Sequence, residues 1–177
     1  GPLGSPTWGG LPGFTYRPLF AKTCERRVKI MPVQPNLGGA FSGTIAVTIV
    51  DPGGDPVSII KTTDAWKMRV TWTITGTIVG SFPHSSDDWY LQGFVETIGP
   101  GTDLALGPPL QVPVNKVPAT GTPATRTYTE DISVTASLVP AGTYDCAAVI
   151  TCKTSGTPPV PVAVAAVERG PLLQFYD

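Results

Sequence analysis

The sequence predicts an all-β fold, a two-layer antiparallel Greek-key β-sandwich, and three observations lead to this prediction. Strand-like segments recur about every 10 to 15 residues, and no stretch has the apolar spacing of a helix. Glycine and proline number 20 each, which favours short strands joined by turns. The length of 177 residues is sufficient for one sandwich domain with a substantial core.

The chain divides into three parts. Residues 1–5, with the sequence Gly-Pro-Leu-Gly-Ser, look like the remnant of an engineered fusion tag and are set apart from the fold. Residues 6–27 form an N-terminal arm without clear periodicity, rich in glycine and proline. Residues 28–177 are predicted to form a single sandwich domain of about seven to nine strands.

The first half of the domain contains the clearest strand pattern. In residues 66–74 apolar and polar side chains alternate, so one face carries Trp66, Met68, Val70, Trp72 and Ile74. Strands are also predicted in 28–33, in 44–50 and, as the second arm of a hairpin, in 57–61. The hairpin is predicted because residues 51–56, Asp-Pro-Gly-Gly-Asp-Pro, form a strong turn signal.

The second half continues the pattern with weaker signals. Residues 89–98 are predicted as a strand, and residues 99–125 as a loop with one edge strand near 110–114. Further extended segments are predicted at 128–138, from Tyr144 onward, at 160–167 and at 172–176. No internal repeat is visible.

Composition excludes some classes of function. The formal net charge is −1 and only 14% of residues are charged, which argues against a nucleic-acid-binding protein. No apolar run approaches the roughly 20 residues that a membrane-spanning helix needs, so no membrane span is predicted.

The three cysteines, Cys24, Cys146 and Cys152, cannot all pair within one chain. If Cys146 and Cys152 lie on one strand, about 20 Å separates them, which is too far for a disulfide. Two buried thiols and one thiol in the arm are therefore expected, although Cys24 could still reach one of the other two.

No residue pattern predicts an enzyme, a cofactor or a metal site. His84 is the only histidine and neighbours Ser85, Ser86, Asp87 and Asp88, but a catalytic triad is assembled from separate segments, and this cluster is typical of a solvated turn. Five aspartates could supply oxygen ligands to Ca²⁺ but lack the alternating spacing of a calcium loop: Asp51, Asp55, Asp87, Asp88 and Asp103. Four aromatic residues could form a platform for a glycan, although the strand phase favours core packing for Trp89: Trp89, Tyr90, Phe94 and Tyr128.

The N-terminal arm is the most suggestive segment for partner binding. It interleaves aromatic residues with cations: Trp8, Phe14, Tyr16, Arg17, Phe20, Lys22, Arg26 and Arg27. The arm is predicted to dock, either on the outer sheet of its own domain around Ala147 and Val149 or on a neighbouring subunit. A cover is expected because the strand that follows Tyr144 is apolar on both faces. Residues 172–176 are another candidate cover.

Tyr144 lies in the run Gly142-Thr-Tyr-Asp-Cys146, which opens an apolar stretch. This run resembles the tyrosine corner of immunoglobulin-like β-sandwiches, and residues 66–74 resemble the second strand of a fibronectin-type-III domain. The resemblance implies an immunoglobulin-like sandwich with Gly142 and Tyr144 at a structural corner, where the Tyr144 hydroxyl bonds to backbone just before it. The 66–74 strand has no cysteine, so the inter-sheet disulfide of antibody domains is not implied.

Together these patterns predict a non-catalytic interaction or structural module that acts through protein–protein contacts, self-assembly included. The alternative is a carbohydrate- or calcium-dependent adhesion module.

Overall fold

The computed structural model describes residues 33–177, and these residues form two β-sheets packed as two layers. The smaller sheet has the order β1-β3-β7, with β1 (Ser42–Val50), β3 (Trp66–Gly76) and β7 (Ala124–Val134). The larger sheet has seven strands: β2 (Ile59–Lys61), β4 (Asp88–Thr97), β5 (Leu104–Ala105), β6 (Leu110–Pro113), β8 (Gly142–Lys153), β9 (Pro161–Arg169) and β10 (Leu173–Tyr176). The predicted all-β, two-layer antiparallel fold is confirmed.

Strand β3 is the centre of the smaller sheet and supplies much of the core. Its predicted apolar face is fully inside, since all five side chains are buried: Trp66, Met68, Val70, Trp72 and Ile74. Strand β1 pairs with one edge of β3 and β7 with the other, both antiparallel. Alternation along this strand therefore corresponds to one face on the core and one face away from it.

Aromatic contacts join the two layers. The ring of Trp72 in β3 lies 6.0 Å from that of Trp89 in β4, in an edge-to-face arrangement. At the other end of β3, the Trp66 ring lies 5.7 Å from the Phe175 ring in β10. Between these pairs the sheets approach closely at Gly93, where an added Cβ would lie 3.0 Å from both Met68 and Ile132.

Strand β8 organises the larger sheet. One edge of β8 pairs with β4 along ten residues, from Tyr144 to Lys153. The other edge is shared, since β10 pairs near its beginning and β9 along the rest. Gly170 lies between β9 and β10, where an added Cβ would meet the Cys146 Sγ at 2.5 Å, so only glycine fits without a shift.

Residues 57–61 do not form the second arm of a hairpin with β1, as the sequence had indicated. The Asp51 carboxylate accepts the backbone N–H groups of Gly54 and Asp55, and a single bridge from Val50 to Pro56 closes this turn. The chain then crosses to the other layer, where β2 pairs with β10 in parallel. A local turn signal predicts the turn but not the sheet that the next strand joins.

Two further boundaries differ from the sequence prediction. Strand β7 begins at Ala124 inside the predicted loop, because it pairs with β3 over eleven residues. It ends at Val134, and Ser137 just beyond it has a φ of +63°. Strand β5, which is two residues long, was not predicted, and the described residues contain ten strands rather than seven to nine.

Helical structure in residues 33–177 is limited to the 3-10 turn Val114–Lys116. No helix in this part of the chain is long and apolar enough to cross a membrane.

Candidate interaction surfaces

Tyr144 is a core residue near the start of β8. Its side chain is 3% exposed, and its ring meets Phe175 edge-on at 5.6 Å. The ring folds back over Gly142, where an added Cβ would lie 3.2 Å from the Tyr144 Cε2. No hydrogen bond joins the Tyr144 hydroxyl to the backbone of residues 138–143. The ring is thus buried as expected, but the hydrogen bond of a tyrosine corner is not formed there.

A different tyrosine fixes the backbone through its hydroxyl. The Tyr128 hydroxyl in β7 donates to the carbonyl of Val114 at 2.8 Å, and the Arg126 Nη1 donates to the same oxygen at 2.9 Å. The Tyr128 ring stacks on Trp72 with centroids 4.9 Å apart. This hydrogen bond could not be predicted from the sequence, because a long loop separates Tyr128 from Val114 and no local motif marks the pair.

Cys146 and Cys152 are free and buried on the same face of β8, as the alternation predicts. Burial raises the pKa of the Cys146 thiol to about 12 and that of the Cys152 thiol to about 12. The Cys146 Sγ donates to the Pro171 carbonyl at 3.1 Å. Both thiols are therefore protonated at neutral pH and contribute as small apolar groups. Cys24 lies outside the described residues.

The polar cluster at residues 84–88 is a turn closed by its own side chains. The Asp87 carboxylate accepts the backbone N–H of His84 at 2.9 Å, while the His84 Nδ1 lies 2.7 Å from the Ser86 Oγ. The Asp88 carboxylate accepts from the side chain of Gln111 at 2.9 Å. The Asp87 carboxylate thus contacts the backbone of His84 and not its imidazole ring, which differs from the order of a catalytic triad.

The candidate metal and glycan ligands are dispersed. Within residues 33–177 no group of three or more His, Cys, Asp or Glu side chains could hold a metal ion. Of the four aromatic residues considered for a glycan platform, Trp89 and Tyr128 are buried in the core. Tyr90 and Phe94 remain at the surface of β4, and the Lys153 Nζ lies 4.5 Å from the Tyr90 ring centroid.

The outer face of the larger sheet carries an apolar strip across three neighbouring strands. Phe94 in β4 pairs directly with Ala147 in β8, and Val149 in β8 pairs with Val167 in β9. These side chains point away from the core, with Phe94 37% and Val167 41% exposed. We call Phe94, Ala147, Val149 and Val167 the outer strip.

The outer face of the smaller sheet has the opposite chemistry. Threonine hydroxyls pair across β3 and β7, at 3.0 Å for Thr71 and Thr129 and 2.9 Å for Thr73 and Thr127. Beside them Arg69 and Asp131 form an ion pair at 2.8 Å, which lowers the pKa of Asp131. One outer face of the molecule is thus suited to water, whereas the outer strip is not.

A groove of about 880 Å³ opens between the two layers at their edge. Residues 45–49 of β1 and residues 56–58 line one side, and residues 168–172 at the junction of β9 and β10 line the other. Apolar side chains dominate the walls, and the carboxylate-bearing Glu168 is buried in them.

The predicted docking arm, residues 6–27, lies outside the described residues, and so do its eight candidate contact residues. The docking of the arm therefore stays a prediction. It does show that the surface the arm was expected to cover, around Ala147 and Val149, is an apolar part of the sheet.

Comparisons of the chain with protein-family models, with curated proteins and with solved structures find no match.

Proposed function

We propose that this chain is a non-catalytic interaction module that acts through protein–protein contacts and self-assembles through the outer strip. The observation that carries the proposal is the apolar character of Phe94, Val149 and Val167 on a face directed away from the core. Monomeric soluble proteins rarely expose contiguous apolar patches larger than a few hundred Å², and patches above that size mark interaction surfaces.

The polar groups around the outer strip favour a second copy of the chain as the partner. Arg169 pairs with Ala147 and places positive charge beside the strip, while Glu96 and Asp145, which pair with each other, place negative charge on the neighbouring positions. A rim of both signs can match itself when two copies meet about a twofold axis. Burial of the apolar centre then supplies the free energy of association.

We also infer that the sandwich is of the immunoglobulin-like or fibronectin-type-III-like kind. Support comes from the buried Trp72 in the centre of the smaller sheet and from Tyr144 packed near the start of β8. The connection from β1 to β2 adds support, because β1 is an edge strand of the smaller sheet and β2, the next strand along the chain, is an edge strand of the larger sheet.

The test of self-assembly compares two charge-adding variants by sedimentation equilibrium. Val149→Lys/Val167→Lys places cations on the outer strip, and Thr73→Lys/Thr127→Lys makes a matched change on the opposite outer face. We expect wild type and the threonine variant to associate equally, and the valine variant to have a Kd raised at least tenfold, about 1.4 kcal/mol.

Two results would overturn the proposal. A wild-type chain that stays monomeric up to on the order of 1 mM would contradict self-assembly. Equal weakening by both variants would show that association does not use the outer strip. Thermal unfolding of each variant, with Tm within a few degrees of wild type, confirms that the fold is intact.

A further inference from the structure

The outward side chains of β8 carry opposite charges at the two ends of the strand. Every second residue of β8 from Tyr144 onward is buried, so the residues between them face away from the core: Asp145, Ala147, Val149, Thr151 and Lys153. Val149 is the midpoint of this row, four residues from the acid and four from the cation. Read in the opposite direction, the row keeps its uncharged centre and exchanges the charges at its ends.

The acid end of the row opens on a pocket of about 260 Å³. Three carboxylates and one guanidinium belong to its lining: Glu96, Asp103, Asp145 and Arg169. Phe94 and Ala147 of the outer strip line the same pocket, so the pocket is continuous with the strip. Because its acids outnumber its cation, the pocket favours a further positive charge.

Lys153 carries a positive charge at the other end of the row. Its Nζ lies 4.5 Å from the ring centroid of Tyr90, which also faces outward. Within one chain this ammonium cannot enter the acidic pocket, since Lys153 and Asp145 are eight residues apart along one strand, about 26 Å. A second sheet packed on the first would cross it at about 30°, and the flexible stem of lysine can absorb that offset.

Two arrangements bring the larger sheets of two copies face to face about a twofold axis. With the axis parallel to β8, each residue of the row faces its own equivalent, so Asp145 meets Asp145 and Lys153 meets Lys153. With the axis perpendicular to β8 at Val149, position 145 of each copy faces position 153 of the other. The first arrangement places like charges together, which is unfavourable, and the second pairs opposite charges twice.

We propose that two copies of this chain stack β8 on β8 in antiparallel directions, with Val149 on the twofold axis and Lys153 of each copy in the acidic pocket of the other. This inference rests on the proposed self-assembly through the outer strip, to which it adds the orientation of the partner and the charged contact that selects it.

The aromatic residues of β4 fit this orientation. Phe94 pairs with Ala147 and Tyr90 pairs with Thr151, and these two positions of β8 lie two residues on either side of Val149. Phe94 of each copy therefore faces Tyr90 of the other, so two aromatic contacts flank the axis.

The orientation also brings the two ends of β4 together. Asp88 pairs with Lys153 in register and would face Glu96 of the second copy. Asp88 is only 8% exposed, and its carboxylate accepts from the Gln111 side chain at 2.9 Å, so it lies below the contact surface. Lys153 is the group that reaches the surface there, and the contact remains one between opposite charges.

Charge-reversal variants, measured by sedimentation equilibrium, test the orientation. Lys153→Glu and Glu96→Lys each place like charges at both contacts of a homodimer, and both leave Asp145 and its own contacts in place. We expect either variant alone to have a Kd raised on the order of tenfold. A heterodimer of the two variants has opposite charges at both contacts, so their equimolar mixture should recover a Kd within about threefold of wild type.

A matched pair of variants controls for the change in net charge. Lys67→Glu alters the outer face of the smaller sheet, and Asp64→Lys alters the turn before β3. These variants change the charge by the same amounts away from the outer strip. We expect each of them, and their mixture, to associate like wild type. Thermal unfolding of all four variants, with Tm within a few degrees of wild type, confirms that the fold is intact.

The outcomes separate this orientation from self-assembly itself. If wild type associates through the outer strip but the mixture stays as weak as its components, the orientation is wrong and self-assembly stands. A wild-type Kd for Lys153→Glu or Glu96→Lys alone, or equal effects from the control pair, would also overturn the orientation. A monomeric wild type would overturn self-assembly, and the orientation with it.

Discussion

Tyr128 is buried, and its hydroxyl donates a hydrogen bond to the Val114 carbonyl at 2.8 Å. Tyr128→Phe should therefore lower the free energy of unfolding by on the order of 1 kcal/mol, since it deletes a buried hydrogen bond. Tyr144→Phe deletes a hydroxyl with no such bond, and we expect a smaller loss. Urea unfolding of both variants gives the comparison, and a larger loss for Tyr144→Phe would restore the corner assignment.

The two buried thiols make stability sensitive to alkaline pH. Burial raises the pKa of Cys146 and of Cys152 from about 9 to about 12. The unfolded chain then loses these protons at lower pH than the folded chain, so their contribution is complete below pH 9 and falls as pH rises towards 12. We expect Cys146→Ala/Cys152→Ala to have a lower Tm than wild type at pH 7 but a shallower decline in Tm between pH 8 and 11. Parallel declines in the two proteins would contradict the shifts.

At the scale of elements, alternation predicted the strands that have one face in the core. Strand β3 was predicted almost to its ends, because from Trp66 to Ile74 each inward side chain is apolar and each outward one is polar. The same rule places Trp89, Leu91 and Val95 on the inner face of β4. Where one face of a strand is buried and the other is exposed, the alternation of apolar and polar residues shows which side chains face the core.

Elements defined by pairing were predicted less well. Strands β2 and β5 are three and two residues long, and their partners lie in β10 and β4. Strand β7 begins beside β3 at Ala124, although the sequence had indicated a loop over residues 99–125. Short edge strands are held by backbone hydrogen bonds to distant residues. The pattern of side chains along the sequence does not indicate which residues form such bonds.

The candidate surfaces were also predicted only in part. The two-faced apolar pattern around Ala147 and Val149 indicated a surface in need of a cover, and the structure adds Phe94 and Val167 to it from neighbouring strands. The groove beside β1 could not be predicted, since it depends on how the ends of the two sheets lie against each other within residues 33–177. Likewise, nothing local to Tyr128 indicates that Val114 lies beside its hydroxyl.

At the scale of the whole molecule, the two outer faces differ in polarity. The threonine-rich face of the smaller sheet satisfies its polar side chains across strands, and the larger sheet carries the outer strip. Outside residues 33–177 the sequence of the arm adds four aromatic side chains, those of Trp8, Phe14, Tyr16 and Phe20. Burying two of these rings would contribute roughly 3 to 5 kcal/mol at about 25 cal/mol per Å², before the entropy of ordering the arm is subtracted.

The arm is therefore expected to dock on the outer strip, either of its own domain or of a neighbouring subunit. Deleting residues 6–20 should lower the Tm or change the mass measured by light scattering, because apolar surface is left exposed. In the Val149→Lys/Val167→Lys background the same deletion should have little further effect, since the surface that the arm is predicted to cover is already disrupted. Such non-additivity identifies two groups that share one contact. If the deletion has the same effect in both backgrounds, the arm docks elsewhere, and if it has none in the wild type, the arm is not a docking segment.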